Sequence, residues 1–450
     1  MNNRSAPGRD RPADLILHPR WMLPIEPDHQ VLHHHALVIA EGRIVALLPE
    51  EQARVLPCAE RLELPEHALL PGLVNAHGHA AMSLLRGHAD DLALDTWLQE
   101  HIWPLEQRWV SAEFVHDGVQ LALAEMLRSG TTCFSDMYFF PDVAARAAVA
   151  AGMRAQVAFP ILEMPSAWGR DADDYLSRGL QVLDDFRHSE LVEVALGPHA
   201  PYTVGDAALR RTATLAAELD AGIQIHVHET LREVEQSLAE HGQRPLARLE
   251  RLGLLGPRTQ CVHGVFLDAE DRALLSARGS HVIHCPRSNL KLASGLAPVA
   301  TLLDEGINVA LGTDGAASSN GLSLFDELQL AALLAKAVTG QATALPAAQA
   351  LHMATLAGAR ALGLEERIGS LVPGKQADLI AVDLSGPEHQ PVHQPLSQLV
   401  YTAAGRAVSH VWVAGRPLMR ERQLTTLDLP AILGRAENWR QKLAAPTRQR

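Results

Sequence analysis

The chain reads as an α/β protein, a (β/α)8 barrel of the TIM type with a small β-sandwich domain built from both chain ends. Three observations predict this. Eight short apolar runs alternate with helical segments through the middle of the 450 residues. Both flanks are strings of short alternating strands and turns instead. Four of the eight runs end in histidine or aspartate, where the open end of a barrel would gather them.

The elements follow in order. Residues 14–67 contain "ADLILHP", "ALVIAEGRIVALLP" and "AERLELP", β-rich or alternating, with "EGR" as a turn signal. "GSLVPGKQADLIAVDL" and "VSHVWVAGRPL" have the same texture near the C-terminus. The expected division is a composite β domain from 11–67 with 366–425, a barrel over 68–365 and a C-terminal helical extension over 426–450. The eight barrel strands are expected at 69–77, 131–137, 154–162, 192–199, 223–229, 259–265, 281–286 and 308–314. Between the first two, "AEFVHDGVQLALAEMLRSG" has helical spacing, and Gly130 is its stop. The polar "MNNRSAPGRD" reads as a tail.

Composition narrows the function. A net charge of -13 argues against nucleic acid and anionic membrane surfaces as partners. No apolar run approaches 20 residues and no signal segment opens the chain, so a cytoplasmic location is expected. Cys58, Cys133, Cys261 and Cys285 show no CxxC spacing and read as reduced, buried thiols. Histidine is abundant, at 23 residues. Lysine is scarce, at Lys291, Lys336, Lys375 and Lys442 alone.

Several strand ends carry chemistry. In "VNAHGHAAM", His77 and His79 are two apart, so both imidazoles can reach one metal ion from the same strand face. A pair of polar strand-end histidines is the plain alternative. In "IQIHVHET", alternation puts His226 and His228 on one face and Glu229 on the other. Both histidines, one or neither could be ligands. "QCVHGV" adds His263 and "VALGTDG" adds Asp314. Four strand ends converging on imidazole and carboxylate are hard to explain by chance in a barrel.

With "PGLVNAHGH", "HVHET", "CVHGV" and "GTDGAASSNG", the chain resembles the metal-dependent amidohydrolase superfamily over nearly its whole length. The branch is that of purine and pyrimidine deaminases and triazine hydrolases. "DTWLQEHIWPLE" (95–106), "GPHAPYTV" (197–204) and "CPRSNLKLASG" (285–295) make it most similar to the 5′-methylthioadenosine/S-adenosylhomocysteine deaminases.

The resemblance implies that His77, His79, His226 and Asp314 bind one Zn²⁺, with Fe²⁺ the alternative. Three imidazoles, a carboxylate and a water suit either ion. Relatives with two metals bridge them by a carbamylated lysine on a middle strand. No lysine precedes Lys291, so a single ion is expected. His226 is then the ligand, and His228 a packing group at the barrel lip. Glu229 swings over the pocket if the strand ends before it.

The resemblance also implies roles. Glu229 protonates N1 of a purine, Asp314 takes the proton of the attacking water, and His263 orients that water and the tetrahedral intermediate. Glu106 accepts hydrogen bonds from ribose hydroxyls, Trp97 packs on the nucleoside, and His199 lies against its 5′ side. One departure bears on the substrate. Relatives that take S-adenosylhomocysteine clamp its carboxylate with arginine after the third strand. Here Arg170 and Arg178 are the candidates, beside apolar Met164, Pro165 and Trp168, which suit a methylthio group. The expected activity is hydrolytic deamination of 5′-methylthioadenosine, with S-adenosylhomocysteine as a further substrate. The rivals are a guanine or 8-oxoguanine deaminase, a triazine hydrolase and a non-catalytic barrel scaffold. By analogy with relatives, a homo-oligomer is possible. "HHH" at His33–His35 is discounted as a solvated turn or strand edge. Ser288, Asn289 and Lys291 either shape the pocket rim or brace their loop.

Overall fold

The computed structural model describes residues 12–27 and 30–444. The expected tail, "MNNRSAPGRD", lies outside them. Two compact units are formed by the described residues of Met1–Asn75, Leu127–Cys133 and Ser323–Thr425, and of Ala76–Met126, Phe134–Leu322 and Thr426–Arg450.

The chain ends build one nine-stranded mixed sheet. Its order is Gln423–Leu424, Arg416–Arg420, Val408–Val413, Leu379–Asp383, Cys58–Pro71, Ala13–Met22, His35–Ala40 and Arg43–Pro49, with Leu32–His33 paired to Ala13–Met22. Only Ala13–Met22 and Cys58–Pro71 run parallel among the pairs described. Alternation sends Leu15, Leu17, Leu37 and Ile39 into one core and Ile16, Ala36 and Val38 into another. Both faces of these strands are therefore apolar.

The second sheet holds eight strands: β1 (Leu73–Asn75), β2 (Thr131–Met137), β3 (Arg154–Ile161), β4 (Val192–Pro198), β5 (Ile223–Val227), β6 (Thr259–His263), β7 (His281–His284) and β8 (Val309–Leu311). They lie in chain order. The registers from β3 to β8 are parallel. A backbone hydrogen bond from Ala76 N to Leu311 O, 2.9 Å, ties the last strand to the residue after the first. Strands buried on both faces read as continuous apolar runs, which is why they stood out in the sequence. Helices such as Ala172–Phe186, Asp206–Leu219 and Ala269–Arg278 make the crossovers.

The expected positions hold with local differences. Residues 69–71 finish the long strand Cys58–Pro71, leaving β1 only three residues. The helix Ala112–Arg128 ends two residues before Gly130, whose φ of +91° suits a glycine. A helix, Leu429–Ala444, falls within residues 426–450. Its Trp439 donates to Asp117 Oδ2 at 2.9 Å and packs edge-on against Phe114. His33 and His34 are exposed, and His34 is a left-handed turn residue. Cys133, Cys261 and Cys285 are buried free thiols, whereas Cys58 is only half-buried. Among the described residues, no helix is long and apolar enough to cross a membrane.

Candidate active site

The site lies at the carboxyl ends of the barrel strands. His77 and His79 follow β1, His226 lies in β5, His263 ends β6, and Asp314 lies three residues beyond β8. His77, His79 and His226 offer ring nitrogens within 4.8 Å of one another, and so do His77, His263 and Asp314 with one ligand atom each.

The three imidazoles are held in one tautomer. Each Nδ1 donates to an oxygen: His77 to Gln224 Oε1 (3.0 Å), His79 to Met137 O (2.6 Å) and His226 to His199 O (2.7 Å). In the neutral ring each Nε2 is thereby left as an acceptor. His77 Nε2 and His226 Nε2 are 3.2 Å apart. Asp314 Oδ1 is 3.5 Å from His77 Nε2 and 3.3 Å from His79 Nε2. Donors on one ion with bonds of ~2.1 Å would be separated by roughly 3.0–3.4 Å, so this set fits a transition-metal ion. Electrostatics agrees at His77 and His226 and differs at His79. Burial pushes the His77 imidazole down to about 4 and holds His226 well below its ordinary value. Burial opposes charge on His79, but Asp314 overrides it and pushes His79 up to about 9. Asp314 is held well below the usual carboxylate range despite burial, since the His77 and His79 rings face it.

Asp314 is braced on its other side. Ser288 Oγ donates to Oδ2 at 2.6 Å, Ser318 Oγ lies 3.2 Å from the same oxygen, and Gly315 N donates to Oδ1. Gly312 is required here: a Cβ at that position would come 2.8 Å from His77 Cβ.

Glu229 and His228 part company at the end of β5. The strand stops at Val227, and His228 takes a left-handed φ of +57°. That breaks the alternation, and Glu229 lines the same cavity as His226. Its Oε1 is 3.4 Å from Ser294 Oγ and its Oε2 is 3.6 Å from His263 Nε2. Burial, helped by the charge of Asp314, pushes the carboxyl up to about 8. His228 has no such freedom. Its Nδ1 donates to Phe266 O at 3.0 Å and its Nε2 accepts from Leu246 N at 3.2 Å. It braces the loop and does not line the cavity. His263 receives a hydrogen bond at Nδ1 from Asn289 Nδ2 (3.0 Å), which turns its Nε2–H toward the cavity. Asn289 therefore braces a site residue, as Ser288 does. Lys291 instead pairs with Asp90 at 2.6 Å.

The remaining candidates share that cavity. Trp97, Glu106 and His199 line it. Trp97 sits in a π-helical turn, Trp97–Ile102, and its buried Nε1 has no hydrogen-bond partner. Glu106 accepts from Tyr138 Oη at 2.6 Å, and burial pushes its carboxyl up to about 7 against that bond. His199 Nδ1 lies 3.0 Å from Thr203 Oγ1, and burial lowers the ring to about 4. The loop after β3 contributes Met164 and Pro165 to the wall, but not Trp168, which is buried against Tyr175. Arg170 and Arg178 both turn to Asp174, each at 3.3 Å, with side chains 80% and 52% exposed. Among the described residues, no arginine or lysine lines the cavity.

The sequence reading missed Tyr138 and the amide chain under His77. Gln224 Nε2 lies 2.6 Å from Gln260 Oε1 and 2.8 Å from Ser135 Oγ, and Gln260 Nε2 donates to Gln156 Oε1 at 2.8 Å. A signal existed: these are polar residues inside otherwise apolar strands, and Gln224 shares the strand face of His226.

The amidohydrolase family profile matches residues 68–418. The chain belongs to the amidohydrolase family. A 5-methylthioadenosine/S-adenosylhomocysteine deaminase of Teredinibacter turnerae is 54% identical over 433 residues, covering 96% of this chain and 98% of that protein. A 5'-deoxyadenosine deaminase of Methanothermobacter thermautotrophicus is 44% identical, covering 82% and 86%. The crystal structure of an adenosine deaminase from Xanthomonas campestris with bound zinc superposes on this amidohydrolase with a TM-score of 0.95, at 49% identity over 96% of this chain and 99% of that one.

Proposed function

We propose that the chain is a metal-dependent hydrolytic deaminase of adenosine-type nucleosides, with 5′-methylthioadenosine its preferred substrate. One observation carries the reading. A single cavity brings a metal-ligand cluster, a carboxyl group that keeps its proton at neutral pH and a second carboxylate onto one apolar wall. The names of the 54%- and 44%-identical relatives support it.

His77, His79, His226 and Asp314 would hold one divalent ion, Zn²⁺ or Fe²⁺, since three neutral imidazoles and a carboxylate suit both. Such an ion lowers the pKa of a water from ~15.7 toward ~7. Asp314 takes the proton of the attacking water. Glu229 gives its proton to N1, which makes C6 electrophilic. His263 donates from Nε2 to the oxygen that adds at C6. The C6–N bond then breaks, the amino group leaves as ammonia with the proton that Asp314 accepted, the proton still on the added oxygen returns to Glu229, and the 6-oxo inosine form remains. Glu106 accepts from the ribose diol, while Trp97 and His199 pack the nucleoside. The 5′ substituent meets Met164 and Pro165 with no cation to pair a carboxylate, which favours methylthioadenosine over S-adenosylhomocysteine.

The test is ammonia release from methylthioadenosine, S-adenosylhomocysteine, adenosine, guanine and a chlorotriazine, with metal content measured on the purified protein. Methylthioadenosine should have the highest kcat/KM. Turnover of guanine or the triazine alone, or a protein that never binds a stoichiometric transition metal, rules the reading out.

A further inference from the structure

Glu229 has loose side-chain contacts, 3.4 Å to Ser294 and 3.6 Å to His263, so something other than these must aim it. The backbone does. Glu233 lies one turn into the helix Leu231–His241 and is itself buried. Its Oε1 accepts from His228 N and its Oε2 from Glu229 N, both at 2.9 Å. The helix does not need this as a cap. Thr230 already caps it, accepting from Glu233 N through its side chain at 3.2 Å. The Glu233 carboxyl also meets the Thr230 backbone, and it reaches beyond that cap to the two residues where the strand turns. His228 is left-handed there, a conformation that strains a β-carbon-bearing residue and persists only where neighbours impose it.

We propose that Glu233 is a positioning residue for Glu229. Its two carboxylate oxygens hold the N–H groups of residues 228 and 229, and that grip fixes the turn that delivers the Glu229 carboxyl to the substrate. The proposal rests on the reading of Glu229 as the proton donor. Bonds from the two oxygens of one carboxyl group to two consecutive N–H groups are directional, which suits fixing a backbone angle. Glutamine in its place would keep one acceptor and set an amide NH₂ against the other N–H.

The experiment is a double-mutant cycle of Glu233→Gln and Glu229→Gln in the metal-loaded full-length protein. It reads kcat, KM, metal content and thermal unfolding with methylthioadenosine. A misplaced reacting group loses on the order of 10- to 100-fold in rate. Glu233→Gln alone should therefore lower kcat by about that factor, with KM and metal content kept within about twofold. In the Glu229→Gln background it should change the residual kcat by less than about twofold, because the group it positions is gone. An equal fold-loss in both backgrounds, or no loss with Glu229 intact, overturns the positioning role and leaves the reading of Glu229 standing. Full activity in Glu229→Gln alone overturns both. Where Glu233→Gln does not fold, Glu233→Asp enters the same cycle, since it keeps two acceptor oxygens on a shorter arm that can no longer span both N–H groups.

Discussion

Replacing Glu106 by glutamine tests the sugar end of the proposed site. Glu106 sits on the helix Trp103–Trp109, and one oxygen already accepts from Tyr138 at 2.6 Å. That leaves Oε2 and the spare lone pair of Oε1 for a ribose diol. At a pH above about 7, where this carboxyl is ionised, its hydrogen bonds contribute ~1.5–3 kcal/mol each. Glutamine keeps one acceptor oxygen and loses the other, and its amide donor cannot satisfy both Tyr138 and a hydroxyl. The loss of one charged bond corresponds to a decrease in kcat/KM of roughly 10- to 150-fold. The assay compares adenosine with 2′,3′-dideoxyadenosine, following conversion to the inosine form. Adenosine should fall by that factor. The dideoxy analogue, which has no diol to lose, should change by less than about threefold. Equal losses on both would show that Glu106 acts on the reaction or the fold rather than on the sugar.

Three further outcomes follow from the geometry. Gln224→Leu takes the acceptor from His77 Nδ1 and strands Gln260 Oε1 among apolar atoms; metal affinity by chelator competition should fall by ~10- to 100-fold, and an unchanged affinity would remove its tautomer-fixing role. In the proposed reaction Glu229, its carboxyl pushed up to about 8, is the acid at neutral pH, so kcat should fall as pH rises through about 8; Glu229→Gln should abolish that limb, and its survival would assign it to another group. Chelating the metal should abolish activity and lower the unfolding temperature, because acceptor nitrogens 3.2 Å apart are then left without their cation; readdition of Zn²⁺ or Fe²⁺ should restore both, and activity in a verified metal-free protein would refute the assigned ligands.

The barrel was legible because its strands are buried on both faces and so spell continuous apolar runs. The placing of His77, His79, His226 and Asp314 was legible because polar residues end those runs at the rim. What surrounds them was harder to read. Tyr138 follows β2 with nothing local to connect it to Glu106, 32 positions earlier. Gln156, Gln224 and Gln260 lie on three different strands and meet only in the closed barrel. Arg170 and Arg178 looked like substrate clamps because both follow β3. Their salt bridges to Asp174, four residues from each, turn them outward. Trp168 looked like pocket wall, but Tyr175 and the close approach at Gly169 hold it below the surface.

The deepest gap lies in the direction of side chains, not their identity. Alternation along "IQIHVHET" makes His226 and His228 equivalent and turns Glu229 away. The structure reverses that with one left-handed residue, and it does so again at His263 (φ +76°) and Asp314 (φ +58°). Each of the three sits at or just beyond a strand end and is not glycine, so no residue type announces the turn. Each is paid for by partners distant in sequence or one helical turn on. Glu233, Val265 and Phe266 grip His228 through its N–H and its carbonyl. Asn289 holds the His263 ring, and the Asp314 N–H reaches back to His77 O at 3.1 Å. Strained backbone of this kind survives only where the surroundings over-determine it. The residues that aim the site are therefore not the ones that perform its chemistry. A strand pattern can name a candidate ligand and a candidate acid three residues apart, but it takes the loops of neighbouring strands to bring both to one cavity.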